Sequence, residues 1–116
     1  MSRSALTTFV LLLAPAFANA QDNYTSAYYP VAQLIFYSKT EPIHPNWAGF
    51  AQVTFDAPIA WAVSTTCSTS GVAIRAGDTH LMAAIQTALA MNRNVRFFVD
   101  DAQAVDGVCI LRAIQY

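Results

Sequence analysis

The chain has 116 residues, of which 55% are hydrophobic and only 11% are charged, with a formal net charge of −1. With so few charges and no net positive charge, the chain lacks the cluster of basic residues that a protein uses to bind nucleic acid or anionic lipid, and both classes are excluded. A surface with so few charges leaves apolar patches exposed, and such patches usually mark partner sites.

The first twenty residues have the organisation of a secretory signal peptide. Arg3 gives a positive start, an apolar run extends from Phe9 to Ala16, and Ala18-Asn19-Ala20 has the small-x-small form that signal peptidase cleaves. The run is too short for a transmembrane helix, and no later segment approaches a membrane span. We expect a secreted or periplasmic chain in which residues 21–116 form one domain.

Residues 21–30 are polar and aromatic and predict a loosely held N-terminal arm. Three strands are predicted after it, because β-branched and aromatic residues alternate with other residues between turn segments. These strands are Val31–Ser38, Phe50–Phe55 and Ile59–Cys67, and Val72–Ala76 is either a short fourth strand or a continuation of the third.

One segment has the periodicity of an α-helix. Its apolar side chains fall on one face at spacings of three and four: Leu81, Met82, Ile85, Ala88 and Leu89. Asp78 or Thr79 is suited to cap the first turn. No glycine ends the helix, so we expect an asparagine within residues 92–94 to take the left-handed conformation there.

Val95–Asp100 and Val108–Tyr116 are the last two predicted strands, joined by a polar loop over residues 101–107. Parallel α/β folds need a helix between most strands, and this chain has one. The predicted fold is therefore mainly β: a five-stranded antiparallel OB-fold barrel with one α-helix between the third and fourth strands. The helix would close one end of the barrel.

Cys67 and Cys109 are the two cysteines. In an exported chain an even pair is most simply a disulfide. It would close a loop of about 43 residues and stabilise the fold by roughly 4 kcal/mol at best. A metal site would need further ligands, and His44 and His80 are the only histidines. We predict a disulfide, no metal and no cofactor.

No sequence pattern typical of an active site is present. Asp78 and His80 lie two residues apart, where side chains on a helix diverge, so capping explains them better than catalysis. Asp100, Asp101 and Asp106 do not match the spacing of an EF-hand loop, and we expect a solvated turn there. The protein is predicted to be non-enzymatic, and a small secreted hydrolase is the least favoured class.

Several aromatic residues suit the apolar faces of sugars. Trp61 lies on a predicted strand, which favours a place in the core, whereas the loop and arm residues are less expected to be buried. The candidate glycan-binding residues are Tyr28, Tyr29 and Trp47 as stacking platforms and Arg96 as a hydrogen-bond donor. Core or rim packing is the alternative for each aromatic residue. Separately, Asn23-Tyr24-Thr25 is formally a glycosylation sequon.

The face of the helix opposite its apolar face carries small, uncharged residues: Ala83, Gln86, Thr87 and Ala90. Such residues would allow another helix or subunit to come close. An ordinary alanine-rich exposed face is the alternative. These four residues are the candidate subunit contact.

Together these features resemble the B subunits of subtilase cytotoxin and pertussis-like toxins and their stand-alone secreted relatives. The resembling segments are AYYPVAQLIFYS, WAVSTTCS, LMAAIQTALAMNRNVRFFV and GVCILRAIQY, with Cys67 and Cys109 inside the second and fourth. They span nearly the whole chain after residue 20. The resemblance implies an exported OB-fold with a disulfide.

In toxins of this kind, five B subunits form a ring beneath one catalytic A subunit, the helices line a central pore, and each B subunit binds host glycans, often sialylated. The resemblance therefore implies a homo-oligomer, a pentamer if toxin-like, with a catalytic A subunit and a host glycan as partners. The small face of the helix would line the pore or a subunit contact.

Two positions depart from that pattern. Glycan-binding members place a serine, whose hydroxyl binds sialic acid, directly after an aromatic residue, and here Tyr29 is followed by Pro30. They also carry a tyrosine near the helix end, where this chain has Leu89, Ala90 and Met91. Both departures argue against sialic acid binding at that site. A toxin B-subunit-like module for a glycan or protein partner remains the expected function, and a periplasmic or surface structural OB-fold protein is the alternative.

Overall fold

The structure is a computed structural model that describes residues 22–116, so the predicted signal peptide, residues 1–20, lies outside the described residues. The described chain contains seven strands in one mixed sheet and a single α-helix. The prediction of a mainly β fold with one helix is confirmed. The prediction of five strands differs from the structure, because the segment predicted as an arm contains two additional short strands.

The strands are β1 (Asp22–Tyr24), β2 (Tyr29–Pro30), β3 (Gln33–Phe36), β4 (Ala51–Thr54), β5 (Gly71–Ile74), β6 (Asn94–Val105) and β7 (Val108–Gln115), and α1 (Thr79–Ala90) connects β5 to β6. Their order in the sheet is β1-β6-β7-β5-β4-β3, and β2 also pairs with β6. All pairs are antiparallel except β5 and β7, which are parallel. The parallel pair differs from the all-antiparallel prediction. It arises because α1 carries the chain past the position of β7 before the β6–β7 hairpin returns to β5.

The segment predicted as the third strand, Ile59–Cys67, is mostly irregular, and the strand that follows β4 is Gly71–Ile74. Ile59 is buried and Trp61 is half-buried, whereas Val63 is exposed, so burial explains only part of the apolar pattern of this segment. Its one strand-like pairing is an isolated antiparallel bridge between Trp61 and Thr25. Its backbone amides are satisfied in other ways. The Val63 amide, for example, donates to the Asn23 side chain (3.1 Å).

Helix α1 packs on the sheet through the face predicted from its periodicity, with Leu81, Ile85 and Ala88 buried. Asp78 stands at the N-cap position but makes no side-chain capping hydrogen bond. At the other end, Asn92 has a φ of 52°, which confirms the predicted left-handed asparagine. The amides of Asn92 and Arg93 donate to the last carbonyls of the helix in the pattern of a Schellman motif.

The β6–β7 hairpin is longer than predicted. The polar loop expected over residues 101–107 is instead a continuation of β6 to Val105 and a two-residue turn, Asp106-Gly107. Both turn residues have positive φ, 49° and 82°, as a type I′ turn requires. An irregularity between Asp100 and Ala104 adapts the register of the strand.

The predicted disulfide is confirmed: Cys67 and Cys109 are bonded, with their Cα atoms 5.4 Å apart. Both residues are buried. The bond joins the irregular segment before β5 to β7. The backbone hydrogen bond from Ser68 to Gly107 (2.8 Å) joins the same two regions.

Candidate binding surface

The outer face of β6 carries the side chains that are available to a ligand. Val95, Phe97 and Val99 point inward and are buried, whereas Arg96 and Phe98 alternate with them and are only partly covered. This alternation is the ordinary consequence of a strand with one face on the core. The strand therefore presents a cation and an aromatic ring on its outer face.

Arg96 lies between two tyrosine rings. Its guanidinium carbon is 5.2 Å from the centre of the Tyr24 ring and 5.3 Å from the centre of the Tyr28 ring. Tyr24 and Tyr28 are 37% and 40% exposed, so each ring still presents surface to solvent. We refer to Tyr24, Tyr28 and Arg96 as the tyrosine–arginine clamp. Phe98 extends it, with its ring centre 5.7 Å from that of Tyr24.

The charge of Arg96 has no carboxylate partner among residues 22–116, where the ion pairs are His44–Glu41 and Arg112–Asp22. Its Nε atom is buried and makes no hydrogen bond within the described chain. Cation–π contact stabilises a guanidinium without using its N–H donors. Because Nε is closed to a ligand, the terminal N–H groups of this planar cation are the donors left for a carboxylate, another anion or sugar hydroxyls.

Tyr29, predicted as a stacking platform, contributes to the fold. It is half-buried, with its ring 6.3 Å from that of Phe55, and its hydroxyl accepts a hydrogen bond from the Ala60 amide (3.0 Å). These contacts attach β2 to the irregular segment before β5. Tyr29 is thus adjacent to Tyr28 in sequence but is not part of the clamp.

Trp47, the third predicted stacking residue, is only 5% exposed, so the expectation that it would not be buried is wrong. Its indole Nε1 donates to Asp106 at the hairpin turn (3.0 Å), and its ring packs against Tyr37 and Phe50. Together with buried residues of the hairpin it forms a second core cluster, separate from the one under α1. Asp106, predicted to lie in a solvated turn, also accepts from Asn46 (3.1 Å).

Of the four predicted glycan-binding residues, the structure brings Tyr28 and Arg96 together and adds Tyr24, which sequence reasoning missed. The register of β1 places Tyr24 opposite Phe98 and beside Arg96. Its neighbours Asn23 and Thr25 are both fully buried. In the sequence, Tyr24 alternates with the polar residues Asn23 and Thr25. This alternation indicates that Tyr24 faces the opposite way from its neighbours only once β1 is known to be a strand.

The asparagine of the formal sequon is not accessible in the folded chain. Asn23 Nδ2 donates to the Val63 carbonyl (2.8 Å), and its Oδ1 accepts from the amides of Val63 (3.1 Å) and Tyr24 (2.9 Å). The side chain is fully buried. A glycan could be attached there only before folding, and it would displace β1.

The predicted subunit-contact residues of α1 lie on its exposed face: Ala83, Gln86, Thr87 and Ala90. The Thr87 hydroxyl donates to the Ala83 carbonyl within the helix (3.0 Å). Nearby, the Tyr116 hydroxyl donates to the Ala84 carbonyl (2.6 Å), which fastens the C-terminal residue to α1. The face itself presents small side chains and no charge.

The described residues contain no cluster of three or more side chains suited to a metal ion, and no cavity is found among them. Within the same part of the chain, no helix has the length and apolar character needed to cross a bilayer. A ligand of the clamp would therefore lie on an open surface formed by β1, β6 and the turn that follows β1.

No known protein family, curated protein or solved structure was found to match the chain. The function must accordingly be argued from the clamp, the exposed apolar residues and the chemistry that each allows.

Proposed function

We propose that this protein is a secreted or periplasmic, non-catalytic module that binds carbohydrate through the tyrosine–arginine clamp. The observation that carries the proposal is the position of Arg96, a cation without a carboxylate partner in the described chain, between two tyrosine rings that remain partly exposed. An exposed tyrosine ring offers a flat apolar face to a sugar ring, and its hydroxyl offers a polar edge. The guanidinium adds directed donors for hydroxyl or carboxylate groups.

The proposal includes an OB-fold barrel. It is supported by the path of residues 29–36, which pair with β6 through β2 and with β4 through β3, as one bent strand that closes a barrel would. The strand order, with β5 beside β7 and α1 between β5 and β6, is also compatible with this fold. Both pairings are short, so few backbone hydrogen bonds close the barrel.

A relation to toxin B subunits is part of the same proposal. The disulfide, the position of the helix and the small, uncharged face of α1 support it. It entails assembly into a ring, with α1 at a subunit contact or pore, and a catalytic A subunit as a partner. Because Pro30 replaces the serine of that family, the proposed ligand site is the clamp and not the sialic acid site of those proteins.

A glycan array tests the proposal directly. The oxidised chain beginning at residue 21 is applied alongside Tyr28→Ala and Arg96→Gln, with Tyr116→Ala as a control that removes a tyrosine of similar exposure (43%) outside the clamp. We expect a set of related oligosaccharides to bind the parent chain. Both clamp variants should bind at least about tenfold more weakly, a loss of roughly 1.4 kcal/mol, while the control binds normally. Thermal melting verifies that each variant is folded.

Two outcomes would contradict the proposal. Binding that persists unchanged in both clamp variants would place the carbohydrate site elsewhere. An array without hits from a folded sample would remove carbohydrate recognition altogether. That second result would favour a structural or interaction protein.

This second candidate function is favoured by two exposed apolar side chains outside the clamp. Phe36 on the edge strand β3 is 53% exposed, and Ile43 in the following loop is 78% exposed. The Glu41 carboxylate accepts hydrogen bonds from the amides of Ile43 and His44 (2.9 Å each), which orders the loop around Ile43. The hydrogen bond from the His44 amide is the main reason that the pKa of Glu41 lies below its ordinary value. An ordered loop with an exposed isoleucine suits a protein contact.

A further inference from the structure

Thr25 occupies the point where β1 leaves β6 and the turn toward Tyr28 begins. Its amide donates to the Phe97 carbonyl (3.0 Å), which places Thr25 opposite Phe97. The chain returns to β6 at Tyr29, which is opposite Val95. Residues 26–28 therefore stand opposite Arg96 alone, and this bulge is what brings Tyr28 over the guanidinium.

The hydroxyl of Thr25 holds both sides of this bulge. It accepts a hydrogen bond from the Phe97 amide (3.2 Å), which in a regular antiparallel pair would donate to the Thr25 carbonyl. It also donates to the Ala27 carbonyl (2.8 Å). One fully buried hydroxyl thus links the residue next to Arg96 on β6 to the residue next to Tyr28 in the bulge.

We propose that the Thr25 hydroxyl is a positioning group that sets the geometry of the tyrosine–arginine clamp. By taking the place of its own carbonyl in the ladder, it allows the peptide after Thr25 to turn away from β6. By bonding to Ala27, it fixes the turn in the conformation that presents Tyr28. The contribution of Thr25 to ligand binding rests on the proposed function, whereas its contribution to the clamp does not.

Removal of the hydroxyl has a specific consequence. In Thr25→Val, a side chain of nearly the same shape, the Phe97 amide and the Ala27 carbonyl lose their partner. The bulge then either shortens, so that β1 pairs regularly and Tyr28 shifts along the strand, or becomes mobile. Either way the Tyr28 ring leaves Arg96. In Thr25→Ser the hydroxyl is retained and the clamp should remain.

The NMR resonance of the Arg96 Nε–H group tests this without any ligand, because the rings of Tyr24 and Tyr28 shift it by their ring currents. Tyr28→Ala, measured first, gives the change expected when one ring is absent. We expect Thr25→Val to reproduce at least half of that change and Thr25→Ser to leave the resonance in place. Val53→Ala, a buried change on β4, which does not pair with β6, controls for lost stability alone and should also leave it in place.

Three results would overturn the proposal: an unchanged Arg96 resonance in folded Thr25→Val, an equal displacement in Val53→Ala, or a displaced resonance in Thr25→Ser. If Thr25→Val does not fold, Thr25→Ala, which also removes the hydroxyl, takes its place in these comparisons. A glycan array without hits, together with a displaced resonance in Thr25→Val, would refute the proposed function and support the positioning role. Intact glycan binding together with an unmoved resonance in Thr25→Val would support the proposed function and refute the positioning role.

Discussion

The side chain of Asn23 takes the place of a peptide group along the edge of β1. Its amide donates to and accepts from the backbone of Val63, as one residue of an antiparallel pair does with another. The backbone of β1 is at the same time paired with β6. A side chain in this position allows the irregular segment before β5 to cover the edge strand without becoming a strand itself.

Asn23→Ala should therefore reduce the free energy of unfolding by about 1–3 kcal/mol, because the amide and carbonyl of Val63 and the amide of Tyr24 lose their partner. Urea denaturation followed by fluorescence measures the change. The control is Asn94→Ala at an exposed asparagine, which should change stability by less than about 0.5 kcal/mol. Equal effects of the two substitutions would show that the Asn23 hydrogen bonds do not contribute to stability.

Single residues also show where sequence reasoning reaches its limit. Arg96 could be proposed from its place after the helix, since a strand with inward Val95 and Phe97 must point Arg96 outward. The burial of Trp47 could not be predicted from the sequence, because its partner Asp106 is 59 residues away and only the folded hairpin brings the two together. The loop around Trp47 looks exposed until that contact is known.

At the scale of elements, the helix was predictable and the third strand was not. The apolar residues of α1 recur with the helical period because one side of the helix is buried. The buried face could therefore be assigned from their spacing alone. Residues 59–67 have β-branched and aromatic side chains at alternating positions, yet only Ile59 and Cys67 are buried, and the segment makes a single bridge in place of a regular ladder. The pattern indicates burial, and burial alone does not specify which backbone groups pair.

The β6–β7 hairpin depends on its two-residue turn, and this dependence can be measured. Gly107 has a φ of +82°, and a Cβ atom added there would meet nothing within 4 Å. A substitution would therefore strain the backbone without causing a steric clash. Gly107→Ala should lower stability by about 1 kcal/mol. Gly77→Ala, where the added Cβ also meets nothing and φ is not left-handed, should change stability by less than about 0.5 kcal/mol or increase it slightly.

Thermal melting of the oxidised proteins compares the two glycine variants. A third variant, Gly107→Asn, should lose less stability than the alanine variant because asparagine tolerates positive φ better. If Gly107→Ala melts at the same temperature as the parent chain, the turn does not require the left-handed conformation. The register of the long hairpin must then be set by the disulfide and the contacts of Trp47.

At the scale of the whole molecule, the chain presents three surfaces of different chemistry. The clamp on the outer face of β6 is aromatic and cationic, Phe36 and Ile43 present exposed apolar side chains, and the outer face of α1 carries small, uncharged residues. Each suits a different partner: a polar ligand, a protein, and a closely packed copy of the same helix. A ring of identical subunits would bury the third surface and leave the first one free.

The proposed assembly predicts a solution mass near five chains for the oxidised protein from residue 21. One such chain weighs roughly 10 kDa, scaled from 12.6 kDa for 116 residues, and a closed ring of five would weigh about fivefold more. Light scattering measures the mass of the parent chain and of two alanine-to-lysine variants. Ala83→Lys places a charge on the exposed face of α1, and Ala102→Lys places the same charge on the exposed hairpin.

We expect the hairpin variant to retain the parent mass and the helix variant to lose it, because five lysines brought together at a helix contact repel one another and cannot be solvated. A parent mass of one chain would refute the ring and with it the toxin-like assembly. A ring that persists in Ala83→Lys would keep the assembly and move its contact away from α1. Phe36 on the edge strand β3 and Ile43 in the following loop would then become the expected interface, because both side chains are exposed.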